Sequence, residues 1–415
     1  MSPAHSVTAI PADLVTPLGL YLRLRSAGSG GSFLLESVER GRLGRSSFVG
    51  RGSRFVDLAE AERLDAPVVG YVAYDYAATL EPSVPLPKAG LGLPESRFVV
   101  AETIVRFDHG AGVAEVVAGD PDAVAELLAQ PLPDDGEARN GAGGPLRRFP
   151  SQERYEENVR SCLERIVAGD AYQVVPSQRA ERPTSASPLA LYRALRRVNP
   201  SPYLFLLELG ELALVGSSPE RLVACEDGRA SVCPIAGTTS PDEGDAERLL
   251  TSEKDCAEHV MLVDLGRNDL SRVCRAGTVR VARSFEVERF SHVSHLVSEV
   301  VGELRDGVMP FDVLRACFPA GTVTGAPKIR AMQIISGIEG YCRGPYAGAV
   351  GYVLPGGTMD TCIALRTMVV HDGVAHLQAG AGVVADSEPE SEHRECLAKL
   401  AALEAAIELA EEEYA

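Results

Sequence analysis

The sequence predicts an α+β protein whose core is carried by sheets of many short strands. Two observations lead there. Short apolar runs bounded by glycine, proline or serine recur along the chain. Segments with apolar residues three and four apart interrupt them, without a regular β-α alternation. No internal repeat is visible, and 415 residues suffice for a large core in one domain or two closely joined ones.

Residues 11–50 hold two apolar runs on either side of a Gly/Ser turn at Gly28–Ser32, which predicts strands joined by a loop. Pro67–Tyr76 and Phe98–Asp108 read as further strands. Pro131–Leu146 is rich in glycine, proline and aspartate and has nothing to bury, so 131–146 is expected to link an N-terminal region over 1–135 to a second region over 147–415. Apolar or aromatic residues at Tyr155, Val159, Cys162 and Ile166 predict a helix from Ser151, closed by Gly169. Ala171–Arg179 reads as a strand, Pro188–Val198 as a basic helix, Asn199–Tyr203 (NPSPY) as a turn, and Tyr203–Leu209 with Ala213–Ser217 as a hairpin around Gly210. Asp242–Val263 and Glu390–Glu412 read as helices, as does the segment opening at Lys328. That last helix follows the densest stretch of turn-makers, Phe318–Arg330 (FPAGTVTGAPKIR). A turn into a helix N-terminus is a natural anion site, although the P-loop spacing is absent; a tight structural junction explains the stretch equally well.

A formal charge of −18 argues against nucleic acid and anionic membranes as partners. The nine cysteines are scattered without a C-x-x-C pair, as expected of reduced thiols in a cytoplasmic protein. No run reaches eighteen apolar residues, and the N-terminus shows no basic-then-apolar signal segment.

Asp255 and Glu258, and again Glu392 and Glu395, are three apart in helical segments and so share a face. Two such helices can offer carboxylates to one hard cation; solvated faces are the plain alternative. Arg366, Lys399, Glu220 and the pair His292 and His295 each admit an ordinary structural role when taken singly.

They do not stand singly. LLES at Leu34–Ser37, NPSPY, SSPERL at Ser217–Leu222, PIAGT at Pro234–Thr238, EHVMLVDLGRND at Glu258–Asp269, FSHVSH at Phe290–His295, FPAGTVTGAPKIR and QAGAGVVADSEPE at Gln378–Glu390 follow one another over nearly the whole chain. Together they resemble the chorismate-utilising enzymes, most closely the large, synthase subunits (component I) of anthranilate synthases. The resemblance implies large antiparallel sheets facing one another with helices outside. It implies Mg²⁺ on Glu258 and Glu395, with Asp255 and Glu392 in supporting or water-mediated roles. It makes Glu220 the acid for the departing 4-hydroxyl, His295 the group at the elimination step, and Thr238 a pocket residue beside Ala236 and Gly237. One chorismate carboxylate goes to the metal, and the other lies near Arg366, Tyr346 and the backbone of Gly380, Ala381 and Gly382, with Lys399 nearby.

Gln173 stands where water-adding relatives carry a lysine base, and an amide cannot deprotonate water. Ala236 stands where covalently acting relatives carry a lysine nucleophile. The resemblance therefore implies direct addition of ammonia at C2, then loss of pyruvate to give anthranilate. No Gly-x-Cys-x-Gly glutaminase elbow is present, so ammonia is expected from a separate glutamine amidotransferase subunit in an oligomer. LLES and NPSPY imply an L-tryptophan pocket of Leu35, Glu36, Ser37, Asn199, Pro200, Ser201, Pro202 and Tyr203. Two alternatives stay open: an enzyme that stops at 2-amino-2-deoxyisochorismate, and a non-catalytic tryptophan-binding regulatory subunit.

Overall fold

The computed structural model describes residues 9–37, 46–133, 143–239, 241–242, 244–289 and 294–413. Among the described residues two sheets dominate, one of eleven strands and one of ten, with antiparallel pairing throughout both. Phe33, Phe205, Leu207 and Leu214 of the first interlock with Val69, Tyr71, Val99 and Val350 of the second, so the sheets face one another across a shared core. Helices cover the outer faces. Leu20, Tyr21, Leu191, Tyr192, Leu403 and Ile407 pack on the first sheet; Val263, Leu270, Phe311 and Met332 pack on the second. Fully burying a large side chain of this kind contributes roughly 1.5–3 kcal/mol.

The strand Tyr203–Leu209 shows why the sequence runs apolar there. Leu204 and Leu206 enter the core under the helices, while Phe205, Leu207 and Leu209 enter the core between the sheets. A strand buried on both faces has no polar side to alternate with.

Several elements follow the sequence closely. Helix Gln152–Val167 begins at Ser151, whose hydroxyl accepts from Arg154 N, and helix Pro188–Val198 begins at Ser187, whose hydroxyl accepts from Ala190 N. Others depart from it. The first apolar run is not a strand but helix Pro17–Ser26: Thr16 caps it by accepting from Gly19 N at 3.0 Å, Pro17 opens it, and Leu20, Tyr21 and Leu24 bury its inner stripe. Phe98–Asp108 divides into strands Ser96–Val100 and Thr103–Asp108, which lie in different sheets. Ala171–Arg179 breaks at Pro176 into Gln173–Val174 and a strand from Ser177 to Pro183. The helix expected over Asp242–Val263 is two, Asp245–Thr251 and Glu253–Ser271, divided at the cap Ser252.

Strands from both sides of residues 131–146 run in both sheets: Gly31–Glu36 pairs with Tyr203–Leu209, and Val68–Val72 with Ala349–Val353. All nine cysteines are free, and no described helix is long and apolar enough to cross a membrane.

Candidate active site

The chain crosses between sheets at two adjacent places, and a sequence-predicted site residue sits at each. Strand Leu212–Ser218 belongs to the first sheet and Arg221–Glu226 to the second, with Glu220 in the connection. Strand Met359–Ile363 belongs to the second sheet and Thr367–His371 to the first, with Arg366 in the connection. The crossings are tied by backbone bonds from Ile363 N to Glu220 O at 3.0 Å and from Ser217 N to Arg366 O at 3.1 Å. Arg366 therefore lies beyond its strand rather than at its end. It is held in the left-handed region at φ 46°, a conformation that costs a non-glycine residue roughly 1–3 kcal/mol and persists where the surroundings over-determine it.

Glu220 is half-buried at the edge of a cavity of about 50 Å³ that Thr322 and Gly321 also line. Burial pushes its carboxyl up to about 8, and the charge of Glu258 pushes the same way; the Thr322 hydroxyl and the Lys399 ammonium pull it down. Glu220 is thus a protonated acid at neutral pH.

His295, half-buried on strand Ser294–Glu303, donates from Nδ1 to the Gly237 carbonyl at 2.7 Å. Burial lowers its pKa below the ordinary imidazole value; the bond to Gly237 opposes this and the Arg366 charge adds to it. The ring is neutral near pH 7, and with Nδ1 protonated its basic nitrogen is Nε2.

Gln173 is buried and donates to Glu258 Oε1 at 3.1 Å, while its own Oε1 has no hydrogen-bond partner. Its short strand is held from two sides. On one, Gly325 and Ala326 pair with Val174 and Gln173; Gly325 has φ 129°, and a Cβ there would stand 2.0 Å from Gln173 O, so only glycine fits. On the other, Val174 exchanges backbone bonds with Val383, just past the Gly380–Gly382 turn. The stretch densest in turn-makers, Phe318–Arg330, is therefore the support for Gln173 and part of the wall of the Glu220 cavity. It is not a free anion site: Lys328 Nζ is bound to Asp269 Oδ2 at 2.8 Å and Cys317 O at 3.1 Å, and Arg330 to Asp170 at 2.6 Å.

Lys399 bridges Gly380 O at 2.8 Å and Glu395 Oε1 at 2.7 Å. A Cβ on Gly380 would stand 3.1 Å from the Tyr346 hydroxyl, and one on Gly382 2.8 Å from Gln173 Nε2. Asp255 packs behind Gly237. Burial raises the Glu392 carboxyl; the Glu395 charge adds to this, and Ser387, Lys254 and Lys399 oppose it. Acids and cations of helices Glu253–Ser271 and Pro389–Glu413 thus sense one another. Ala236 is buried and pairs with Leu296, and Ala381 is buried with its N–H on Pro176 O. Gln173, Glu220, Glu258, His295, Arg366, Tyr346, the Gly380–Gly382 turn and Lys399 are linked by these contacts and fields into one site. The Thr238 side chain and His292 lie outside the described residues.

Carboxylates are the hard oxygens Mg²⁺ prefers, and it takes only one or two from the protein. Among the described residues no group of three or more His, Cys, Asp or Glu is gathered as a metal cage. Glu258 accepts from Gln173 at 3.1 Å and Glu395 pairs with Lys399 at 2.7 Å, and as donor types these carboxylates fit Mg²⁺.

The segments LLES and NPSPY, expected to form a tryptophan pocket, also meet. Leu35 and Glu36 pair with Phe205 and Leu204, which follow NPSPY directly. Glu36 accepts from the Tyr192 hydroxyl and pairs with Arg196 at 3.2 Å. The Ser37 hydroxyl and Asn199 amide nitrogen are buried without a partner. The segment reaches the first site through Ser217, whose hydroxyl donates to Asn199 O, and through the Ser201 hydroxyl, which donates to Ser218 O; Pro200 and Pro202 shape the turn, and Tyr203 accepts from Arg221 at 2.8 Å.

Sequence reasoning missed Arg343. It is buried, pairs with Glu339 at 2.6 Å, and donates to Val323 O and Val175 O, clamping the glycine-rich stretch to the Gln173 segment. An arginine and a glutamate four apart on a surface-like helix end gave no signal of this.

A family model described as chorismate binding enzyme matches residues 31–405. The chain belongs to the chorismate-binding enzymes. It is 46% identical to anthranilate synthase component 1 of Thermus thermophilus over 96% of this chain and 97% of that one. It is 42% identical to the probable anthranilate synthase component 1 of Schizosaccharomyces pombe, over 98% and 93%. The solved anthranilate synthase component I of Streptococcus pneumoniae superposes with a TM-score of 0.79 at 32% identity, covering 96% of this chain and all of that one. The menaquinone-specific isochorismate synthase of Escherichia coli shares the fold, with a TM-score of 0.76 at 24% identity. Within the chorismate-binding enzymes, this chain groups with the component I chains.

Proposed function

We propose that this chorismate-binding enzyme is the synthase component of an anthranilate synthase, converting chorismate and ammonia to anthranilate, pyruvate and water. One observation carries the reading. A carboxyl held protonated at neutral pH (Glu220) and an imidazole held neutral (His295) stand at separate points of one site, as successive acid and base steps require. Ammonia in its free-base form adds at C2 beside the neutral amide of Gln173. Both ring double bonds shift by one position, and the 4-hydroxyl leaves with the Glu220 proton as water, for which the adjoining cavity has room; the added nitrogen then gives up its third proton to the Glu220 carboxylate so formed. His295 Nε2 then takes the C2 proton. That electron pair expels the enolpyruvyl oxygen from C3 as the ring becomes aromatic, and the enolpyruvate leaves as pyruvate after gaining a proton at its methylene carbon.

Glu258 and Glu395 would hold Mg²⁺, with Asp255 and Glu392 behind them; the ion would neutralise the ring carboxylate. Arg366, Tyr346, Lys399 and the Gly380–Gly382 backbone take the enolpyruvyl carboxylate, for which a guanidinium suits two oxygens. Ammonia comes from a separate glutamine amidotransferase subunit assembled with this chain. The unpartnered Ser37 hydroxyl and Asn199 amide offer polar contacts to L-tryptophan, and Ser217 and Ser218 lead from there to Glu220 and Arg366.

Purified protein incubated with chorismate, Mg²⁺ and ammonium should release anthranilate, read by fluorescence, and an equal amount of pyruvate. Release of 2-amino-2-deoxyisochorismate alone would assign only the amination half, and no consumption of chorismate would refute the reading.

A further inference from the structure

We propose that Asp245 is a positioning residue for His295, which sets how quickly the amino intermediate is eliminated; this rests on the elimination role of His295 given above. Asp245 opens the short helix Asp245–Thr251, and its side chain is wholly buried. Its carboxylate accepts four hydrogen bonds: from Arg289 Nε and Nη2, each at 2.7 Å, and from the Ser294 hydroxyl and Ala246 N, each at 2.6 Å. Arg289 ends strand Arg280–Arg289, Ser294 begins its antiparallel partner Ser294–Glu303, and the two are register partners. One carboxylate therefore fixes both strands at the position adjoining His295.

The same helix backs the second restraint on that ring. His295 Nδ1 is held by the Gly237 carbonyl. Gly237 has φ 63° and lies where the pairing of strand Ile235–Thr239 shifts register between Ala236 and Thr239. A Cβ on Gly237 would stand 2.9 Å from Leu249 Cδ2, and Leu249 is one turn beyond Asp245. The carboxylate thus holds the strand through Ser294, and the apolar side chain backs the carbonyl that holds the imidazole. Side chains alternate along a strand, so the inward Ser294 directs His295 to the opposite face. The bonds to Arg289 and Ser294 keep the Asp245 carboxyl well below the usual carboxylate range, so it stays charged at assay pH.

A displacement of about 1 Å at a reacting group can cost on the order of 10²-fold. Glu220 and Gln173 stand on other segments, so loosening this tie should slow elimination and spare amination. The full chain is tested as Ser294→Ala and Asp245→Asn, each with chorismate, Mg²⁺ and ammonium, with products read by mass spectrometry. We expect the ratio of 2-amino-2-deoxyisochorismate to anthranilate to rise about tenfold or more, with chorismate consumption and its KM within about twofold of wild type. A purely structural tie would lower the melting temperature and total turnover while leaving the ratio alone, and an unchanged ratio in folded variants overturns the proposal. Should Asp245→Asn fail to fold, Ser294→Ala, which removes one hydroxyl, decides it. Wild type that makes no anthranilate sinks this proposal together with the function it rests on; wild type that makes anthranilate beside variants of unchanged ratio sinks it alone.

Discussion

Replacing Glu220 by glutamine keeps the shape of the side chain and removes its proton. A carboxyl with a pKa of about 8 is roughly nine-tenths protonated at pH 7, against well under one part in a hundred at the ordinary value of 4.5. The environment therefore makes the acid available, and its loss should slow amination by roughly 10²–10⁴-fold. The same environment lowers stability. Between about 4.5, where the unfolded chain loses this proton, and about 8, where the native protein does, the native state binds more protons. Stability then falls as pH rises through that window, by at most about 1.4 kcal/mol per pH unit. Glu220 borders a cavity open to water, which screens the charge and reduces the total to about 1–3 kcal/mol. Glu220→Gln should therefore match the wild type's melting temperature near pH 4 and exceed it at pH 8. Wild-type kcat should decline above pH 8, about tenfold per pH unit. The assay is chorismate consumption by mass spectrometry and thermal melting, both from pH 4 to 10. A variant that aminates at the wild-type rate, or a wild-type kcat level through pH 10, would refute the reasoning.

Glu258→Gln or Glu395→Gln should abolish activity at limiting Mg²⁺ with the melting temperature kept, because neither side chain is in the core; full activity would place the metal elsewhere. Asp269→Ala leaves the mostly buried Lys328 ammonium unpaired and should cost about 3–5 kcal/mol in urea unfolding, whereas Asp269→Leu with Lys328→Met should recover most of it. Ser37→Arg, which replaces the unpartnered Ser37 hydroxyl with a long charged side chain, should relieve tryptophan inhibition without loss of activity; calorimetry showing no tryptophan binding to wild type would remove the basis for this.

Much of the fold was legible in local chemistry. The helices after Ser151 and Ser187 were legible because helical spacing and a capping serine are matters of a few consecutive residues. The run from Tyr203 to Leu209 read as a strand because burial on both faces keeps it apolar at all but Glu208. Where the chain changes sheets, local pattern failed. Phe98–Asp108 looks continuous because both halves suit a strand, and only the partners decide that one pairs in each sheet. Pro17–Ser26 looked like a strand because its alternating leucines fit a period of two as well as a helix whose inner stripe is Leu20, Tyr21 and Leu24.

The sequence by itself determined which chemistry was on offer: the acids, the two basic carboxylate-binding candidates, the amide at 173 and the methyl at 236. Motif order along the chain was enough to indicate chorismate. Only the tertiary structure decided what those groups are. Glu220 holds its proton near neutral pH because crossing between sheets leaves it against a small cavity with the Glu258 charge acting on it, and burial cannot be read from SSPERL. His295 keeps Nε2 as its basic nitrogen because a carbonyl from another strand takes Nδ1. Lys328, which opens the helix after the turn-rich stretch, serves Asp269 because the fold brings the helix that carries Asp269 to it. Ionisation and tautomer depend on desolvation and on neighbours distant in the chain, and those are set by the fold rather than by any short stretch of residues.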